Sequence, residues 1–200
     1  MVATAVLLPG RNVAAETIEP SVAELVSRAC RGDGSAFEEL IRRHERLALG
    51  VAYGSLHDAQ RAGDAVQEAF IRAWRRLGDL AEPARFAPWL CGIVRNLCAD
   101  ERRRRRLAVC GIDAALGEAC GKTREPAEEM SRRELGERVA AALRDLDETT
   151  RTAVVLRYYE NLSSREIGEL IGLSPAAVDM RLMRGRAALK EKLVLEVNET

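Results

Sequence analysis

The sequence predicts an all-α protein: two small helical domains joined by a flexible acidic linker. Three observations carry that prediction. Apolar residues recur at helical spacing through two long stretches, and no alternating apolar and polar run of useful length interrupts them. Ala, Leu, Arg and Glu are abundant, β-branched runs are few, and only 4% of the 200 residues are aromatic, a composition that favours helices. Between the two stretches, over residues 107–131, Gly111, Gly117, Gly121 and Pro126 break the pattern and acids predominate. Such a segment buries too little apolar surface to offset the entropy of ordering it.

A flexible N-terminus over 1–20 precedes the first domain, 21–106. Ser21 opens a helix with Val22, Leu25, Val26 and Ala29 on one face, stopped near Gly32. Ser35 and Glu38 have the spacing of a capping box, followed by Phe37, Leu40, Ile41, Leu47 and Val51. A third helix starts near Asp58 and buries Ala62, Val66, Ala69, Phe70, Ala73, Trp74 and Leu77. A fourth runs from about Pro83 with Phe86, Leu90, Ile93 and Leu97 inward. Four amphipathic helices with short connections make a small bundle.

The second domain spans 132–193 and leaves a tail over 194–200. Its helical pattern begins with Leu135, Val139, Leu143 and Leu146, and resumes after Asp147 through Val154, Val155 and Tyr158. Asn161 suits a left-handed stop, and Ser163 with Glu166 forms a capping box. The short helix Arg165 to Ile171 is followed by Gly172 at a turn, then by Ser174-Pro175 as the start of another helix. Val178, Leu182, Gly185 and Leu189 point that last helix inward. Helix, four-residue turn, helix is the pattern of a helix-turn-helix.

Composition narrows the function classes. Net charge is zero, but residues 31–106 carry 15 Arg against 11 acids, with Arg102 to Arg106 consecutive, and residues 132–192 carry 12 basic against 10 acidic groups. Two mildly basic blocks therefore flank a linker holding five acids and two bases. Five cysteines, none in a CxxC pair, and two histidines support neither a zinc site nor a disulfide framework. Free thiols in a reducing cytosol are expected. The apolar run in MVATAVLLPGR is too short for a signal peptide or a membrane span, so no membrane insertion and a cytoplasmic location are expected. No catalytic constellation or phosphate loop is present, and neither an enzymatic activity nor a metal or cofactor is expected.

Three surface features remain once the core faces are assigned. Asp64, Gln67, Glu68 and Ile71 form one stripe opposite the core of the third helix, and an apolar Ile71 in that polar line points to a protein partner. On the fourth helix Arg95, Ala99, Arg102 and Arg106 line up opposite the core, a stripe suited to a phosphate backbone. Trp89 lies at the edge of the buried stripe, where its ring can support an unpaired base. On the last helix Ala176, Ala177, Met180, Met183, Arg184 and Ala187 turn outward, with Asp179 and Arg181 on opposite flanks. Methyl groups there suit thymine, and arginines suit guanine edges or phosphates.

The stretches DAVQEAFIRAWRRL (64–77), FAPWLCGIVRNLCADERRR (86–104) and LRYYENLSSREIGELIGLSPAAVDMRLMRGRAAL (156–189) resemble, in this order, the sigma-70 family of bacterial transcription initiation factors. The resemblance is to the small extracytoplasmic-function group, which keeps regions 2 and 4, and it covers residues 30–106 and 134–193. It implies a protein that binds core RNA polymerase and directs it to promoter DNA. It places Asp64, Gln67, Glu68 and Ile71 on the polymerase clamp. Trp89, Arg95, Asn96, Arg102, Arg103 and Arg106 would handle the minus-10 element. Ala176, Ala177, Asp179, Met180, Arg181 and Arg184 would meet the minus-35 element. Where many members show Thr-Val-Lys-Ser-Arg, this chain has Ala177-Val178-Asp179-Met180-Arg181. The resemblance also implies an anti-sigma factor as a partner that holds the two domains. A stand-alone helix-turn-helix regulator is the alternative reading of the same residues.

Overall fold

The computed structural model describes residues 19–109 and 127–198, with side chains for 19–106 and 136–193. Most of the expected linker, the N-terminus over 1–18, Cys110 and Cys120 lie outside the described residues. Eight α-helices and no strand are found among those described. The first four are α1 (Val22–Cys30), α2 (Gly34–Leu56), α3 (Ala59–Arg75) and α4 (Phe86–Val109). They are followed by α5 (Ala127–Arg144), α6 (Glu148–Tyr159), α7 (Ser164–Ile171) and α8 (Pro175–Asn198). Helix α5 begins at Ala127, inside the stretch expected to be linker, and α8 continues past residue 193 into the expected tail.

Local capping explains most boundaries. Ser21 caps α1 in a reciprocal box: the Glu24 N–H donates to its hydroxyl at 3.2 Å and the Ser21 N–H donates to the Glu24 carboxylate at 2.7 Å. Helix α2 is capped by Asp33, which accepts from the Ala36 N–H at 3.1 Å, and the expected Ser35–Glu38 box does not form. The reason is charge. A carboxylate held by Arg28 at 2.7 Å meets the positive helix end better than a hydroxyl, and Ser35 donates to it at 2.7 Å instead. The bond from Ser35, then that from Arg28, draws the Asp33 carboxyl down to about 2. His57 closes α2 in the left-handed region at φ 58°, and Asp58 caps α3.

The first bundle packs α1, α3 and α4 around α2. Its centre is Phe86, fully buried, with the His44 ring edge-on at 5.0 Å. His44 Nδ1–H donates to the Leu40 carbonyl at 2.8 Å, and burial holds the imidazole below its usual pKa. Helix α4 starts at Phe86, after a 3-10 turn over Pro83–Arg85, and buries Leu90, Cys91, Val94, Leu97 and Cys98. Ile93, expected inward, is only half-buried. Burial pushes the Cys91 thiol up to about 12 and the Cys98 thiol up to about 11, so neither is a reactive thiolate at neutral pH.

In the second part α6, α7 and α8 pack as the helix-turn-helix predicts. Ser163 and Glu166 form the expected reciprocal cap, and Ser174 accepts from the Ala177 N–H at 3.2 Å. Gly172 closes α7 at φ 76°, and a Cβ on Gly168 would collide with the Leu173 carbonyl, so the tight turn requires glycine at both positions. Gly185 lets α8 approach α6: a Cβ there would lie 2.7 Å from the Val154 side chain. Tyr158, expected on the inward face of α6, is 63% exposed.

The two parts are packed against each other. Helix α2 lies along α6, where a Cβ on Gly54 would be 2.7 Å from the Thr152 Cα and one on Gly50 would be 3.3 Å from Leu156. Helix α7 lies along α4. Polar bonds cross the same boundary. Ser55 donates to Glu148 at 2.7 Å, Arg102 forms an ion pair with Glu148, and Arg46 pairs with Glu160 at 2.8 Å while stacking over Tyr159. Arg151, only 5% exposed, donates to His57 Nδ1 at 2.8 Å and to the Leu146 carbonyl at 2.8 Å. Its burial pulls the guanidinium down to about 10.

Candidate nucleic-acid interface

On α3 the helical period and the Asp58 cap set which side chains point out. Asp64, Gln67 and Ile71 are exposed and Glu68 is half-buried, so the predicted stripe does form one crest. The crest divides two unlike grooves. On the Gln67 and Ile71 side is an open apolar groove against α2, with a volume of about 740 Å³, lined among others by Phe37, Phe70, Ile71 and Trp74. On the Asp64 and Glu68 side the groove is charged, with Arg61, Arg72, Glu101 and Arg104. Glu68 accepts from Arg72 at 2.7 Å. Trp74, predicted to be core, is 41% exposed: its ring rests on Phe37 at 4.8 Å and turns its other face to the groove. Its place near the end of α3, with Leu77 taking over the core, is the signal that separates it from the buried stripe.

Helix α4 splits the predicted minus-10 set. Arg95 and Arg102 face the second part of the molecule. Arg95 Nη1 lies 3.6 Å from where a Cβ on Gly172 would stand, beside the helix-turn-helix turn, and Arg102 is paired with Glu148 of α6. Asn96, Arg103 and Arg106 are exposed, and Arg103 pairs with Asp100 at 3.5 Å on its own helix. Trp89 is half-buried, tilted on Phe86 at 6.0 Å, and shares a cleft with Glu82, Arg85 and Glu169 of α7. Two cations of the basic stripe thus face the second part of the molecule, with the Arg102 side chain still 38% exposed, and Arg106 stays open.

Helix α8 also sorts its residues. Ala176, Met180 and Arg184 are exposed, and Ala177 is half-buried. Asp179 is exposed but accepts a hydrogen bond from the Ser164 hydroxyl, whose oxygen in turn accepts from Arg157 at 2.7 Å. Arg181 turns inward and pairs with Asp147 at 3.1 Å. Burial raises the Asp147 carboxyl, but bonds from Thr150, with the charge of Arg181, outweigh it and leave it below its usual range. Asp147 is the cap of α6, so Arg181 clamps α8 to the start of α6. Among the described residues no group of three or more His, Cys, Asp or Glu is placed to hold a metal, and no helix is long and apolar enough to cross a membrane.

A capped helix-turn-helix with an exposed, partly basic outer face, behind a bundle that presents a second basic helix, defines a DNA-binding transcription protein. Comparison with known proteins is more specific. The family model of sigma-70 region 2 matches residues 40–108, and that of sigma-70 region 4 matches residues 136–189. The RNA polymerase sigma-H factor of Pseudomonas aeruginosa is 35% identical over 85% of this chain and 92% of its own length. The probable sigma factor RfaY of Xanthomonas campestris is 32% identical over 90% of this chain, which spans only 46% of that relative. The solved structure of CnrH, in complex with the cytosolic domain of CnrY, superposes with a TM-score of 0.64 at 31% identity, covering 88% of this chain and 99% of that one. The sigma factor RpoE of Bartonella quintana, solved with the anti-sigma factor NepR, shares the fold at 21% identity and a TM-score of 0.62, over 78% of this chain and 96% of its own. The chain belongs to the sigma-70 family, in its extracytoplasmic-function group. Members of that family are initiation factors, not enzymes.

Proposed function

We propose that this chain binds bacterial core RNA polymerase through the α3 crest and directs it to promoters, meeting minus-10 with α4 and minus-35 with α8. The observation that carries the reading is the pairing of an exposed crest, bordered by an open apolar groove, with two separate basic helices. The crest offers Gln67 and Ile71 beside the half-open Trp74 ring, a composition suited to a protein partner. Asn96, Arg103 and Arg106, with Trp89 at the margin, suit a single strand whose base is unstacked onto an aromatic ring. The site of action is the cytoplasm, with the polymerase.

The packed arrangement bears on how the two DNA surfaces are used. A compact chain of 200 residues has a radius of gyration of about 16 Å. Minus-10 and minus-35 lie about 25 base pairs apart, roughly 85 Å of duplex at 3.4 Å per pair. The two parts must separate to reach both, and polymerase binding is the event that separates them. An anti-sigma factor that holds them together belongs to the same proposal. An apolar cleft of about 550 Å³ between the parts, lined by Tyr53, Leu143, Val155 and Tyr158, is available for such contact.

Run-off transcription tests the reading. Core polymerase with this chain should start transcripts at discrete sites in genomic fragments, and Gln67→Ala with Glu68→Lys should weaken core binding about tenfold while leaving the helical signal intact. Unchanged core affinity would remove the crest from the interface. Tight sequence-specific duplex binding without polymerase would favour the stand-alone regulator.

A further inference from the structure

The outward face of α8 is apolar where folding alone gives no reason for it. Ala176, Met180, Met183 and Ala187 fall at i, i+4, i+7 and i+11, diametrically opposite the buried stripe of Val178, Leu182 and Gly185. Met180 is 51% exposed and Met183 is 59% exposed. The core uses one face of this helix, so the second apolar line is left for a ligand. Its borders are basic: Arg184 on one side, Arg186 and Lys190 on the other, all exposed. Asp179, the one acid between Pro175 and Lys190, is engaged by Ser164, and Arg181 is turned inward to Asp147. The polar groups that read as base contacts in the sequence are therefore partly spent inside the chain, while the two thioethers stand clear.

An apolar line with cations on both flanks matches the major groove of duplex DNA. The groove floor carries the thymine 5-methyl as its one apolar group, and phosphates run along both edges. A protein groove would supply apolar walls without a reason for cations on both flanks. Methionine is long and unbranched, with a soft sulfur that adapts to a methyl surface. Ala176 and Ala187 at either end leave room for the helix to approach closely.

We propose that Met180 and Met183 are specificity-determining residues that read thymine methyl groups in the minus-35 element, while Arg184, Arg186 and Lys190 seat the helix between the phosphate rows. This rests on the reading of α8 as the minus-35 helix, and the experiment separates the two. Holoenzyme assembled from core polymerase and the full chain is bound to a promoter fragment found by start-site mapping. Each minus-35 thymine, on either strand, is replaced in turn by deoxyuridine, which removes the methyl and keeps the O4 acceptor.

At one or two positions the replacement should weaken binding about fourfold, the size expected for one methyl-sized group returned to water. Met180→Ala or Met183→Ala should lower affinity for the thymine promoter by a similar factor and erase the difference between thymine and uracil at its own position. Both side chains are exposed, so the unfolding midpoint should not move. If no position responds to deoxyuridine while Arg184→Ala weakens binding, the methionine reading is overturned and α8 keeps its place. If Arg184→Ala is silent as well, the assignment of α8 falls. Uracil sensitivity that survives in both methionine variants, or a loss of core affinity in place of DNA affinity, also overturns the proposal.

Discussion

Helices α4 and α8 both present arginines away from their cores, yet they meet different surroundings. On α8 the outward face is open, and its flanking charges, Asp179 and Arg181, are tied to neighbouring helices of the same unit. On α4 the polar residues are divided: Arg95 and Arg102 are turned to α7 and α6, whereas Asn96, Arg103 and Arg106 remain open. The difference teaches that a helix face is open to a partner only when the rest of the chain leaves it bare. In α8 that condition is met within the unit. In α4 it depends on how the two halves of the molecule are arranged.

The largest effect should come from forcing the halves apart. Gly54→Leu drives a side chain into the Thr152 backbone, and overpacking of this kind costs about 1–3 kcal/mol. Because the strain falls between the two units, the expected relief is their separation. Small-angle scattering should show a larger radius of gyration with helical content retained, and an unchanged radius would mean that the α2–α6 boundary yields in some other way.

Charge removal sharpens the comparison at a smaller scale. Arg184→Ala should weaken holoenzyme binding to the promoter by about 1–3 kcal/mol. In the chain without polymerase, Arg106→Ala should lower the salt slope of non-specific single-strand binding by about 0.7, the value for one phosphate contact. Arg102→Ala should leave that slope unchanged, because its guanidinium is already paired with Glu148. Equal slopes for the two variants would show that the pairing with Glu148 does not withhold Arg102 from the strand. Glu148→Gln removes the partner of Arg102 and weakens the acceptor of Ser55 on a partly exposed surface, for a loss of about 0–1 kcal/mol in unfolding free energy.

The smallest effect is on pH dependence, and it belongs to the first bundle alone. Burial lowers the His44 pKa in the folded state, so below about 6.5 the unfolded chain binds the extra proton more readily. The stability from neutral His44 is complete above that pH and is lost as pH falls through it. Denaturant titrations from pH 7 to pH 5 should show falling stability, with a shallower fall in His44→Met. The same slope in both proteins would assign the effect to other groups.

Much of this architecture was legible because its signals are local. Ser21, Asp58, Ser163 with Glu166, and Ser174-Pro175 all cap the helices they announce, and Gly172 makes the left-handed stop at the turn. What escaped depends on contacts between elements rather than on spacing within one. Asp33 displaces Ser35 as a cap only because Arg28 holds it from the preceding helix. Trp74 fits the helical stripe by spacing, but Leu77 takes over the core just beyond α3, which leaves one face of the ring bare. A helical wheel sets Arg181 and Asp179 on opposite flanks of α8, yet their partners Asp147 and Ser164 are brought to them by α6 and α7. The packing of α2 on α6 was written only faintly, as Gly50 and Gly54 one turn apart among the small residues Ala48, Ala52 and Ser55.

The distance between the two halves, measured on and off the polymerase, tests the account most directly. Donor and acceptor dyes at Glu82 and Glu169, which border one cleft in the packed chain, should report high energy transfer for the protein alone. On addition of core polymerase and promoter DNA, transfer should fall nearly to zero, as expected for units reading elements roughly 85 Å apart. High transfer retained in a complex that initiates transcription would contradict the account.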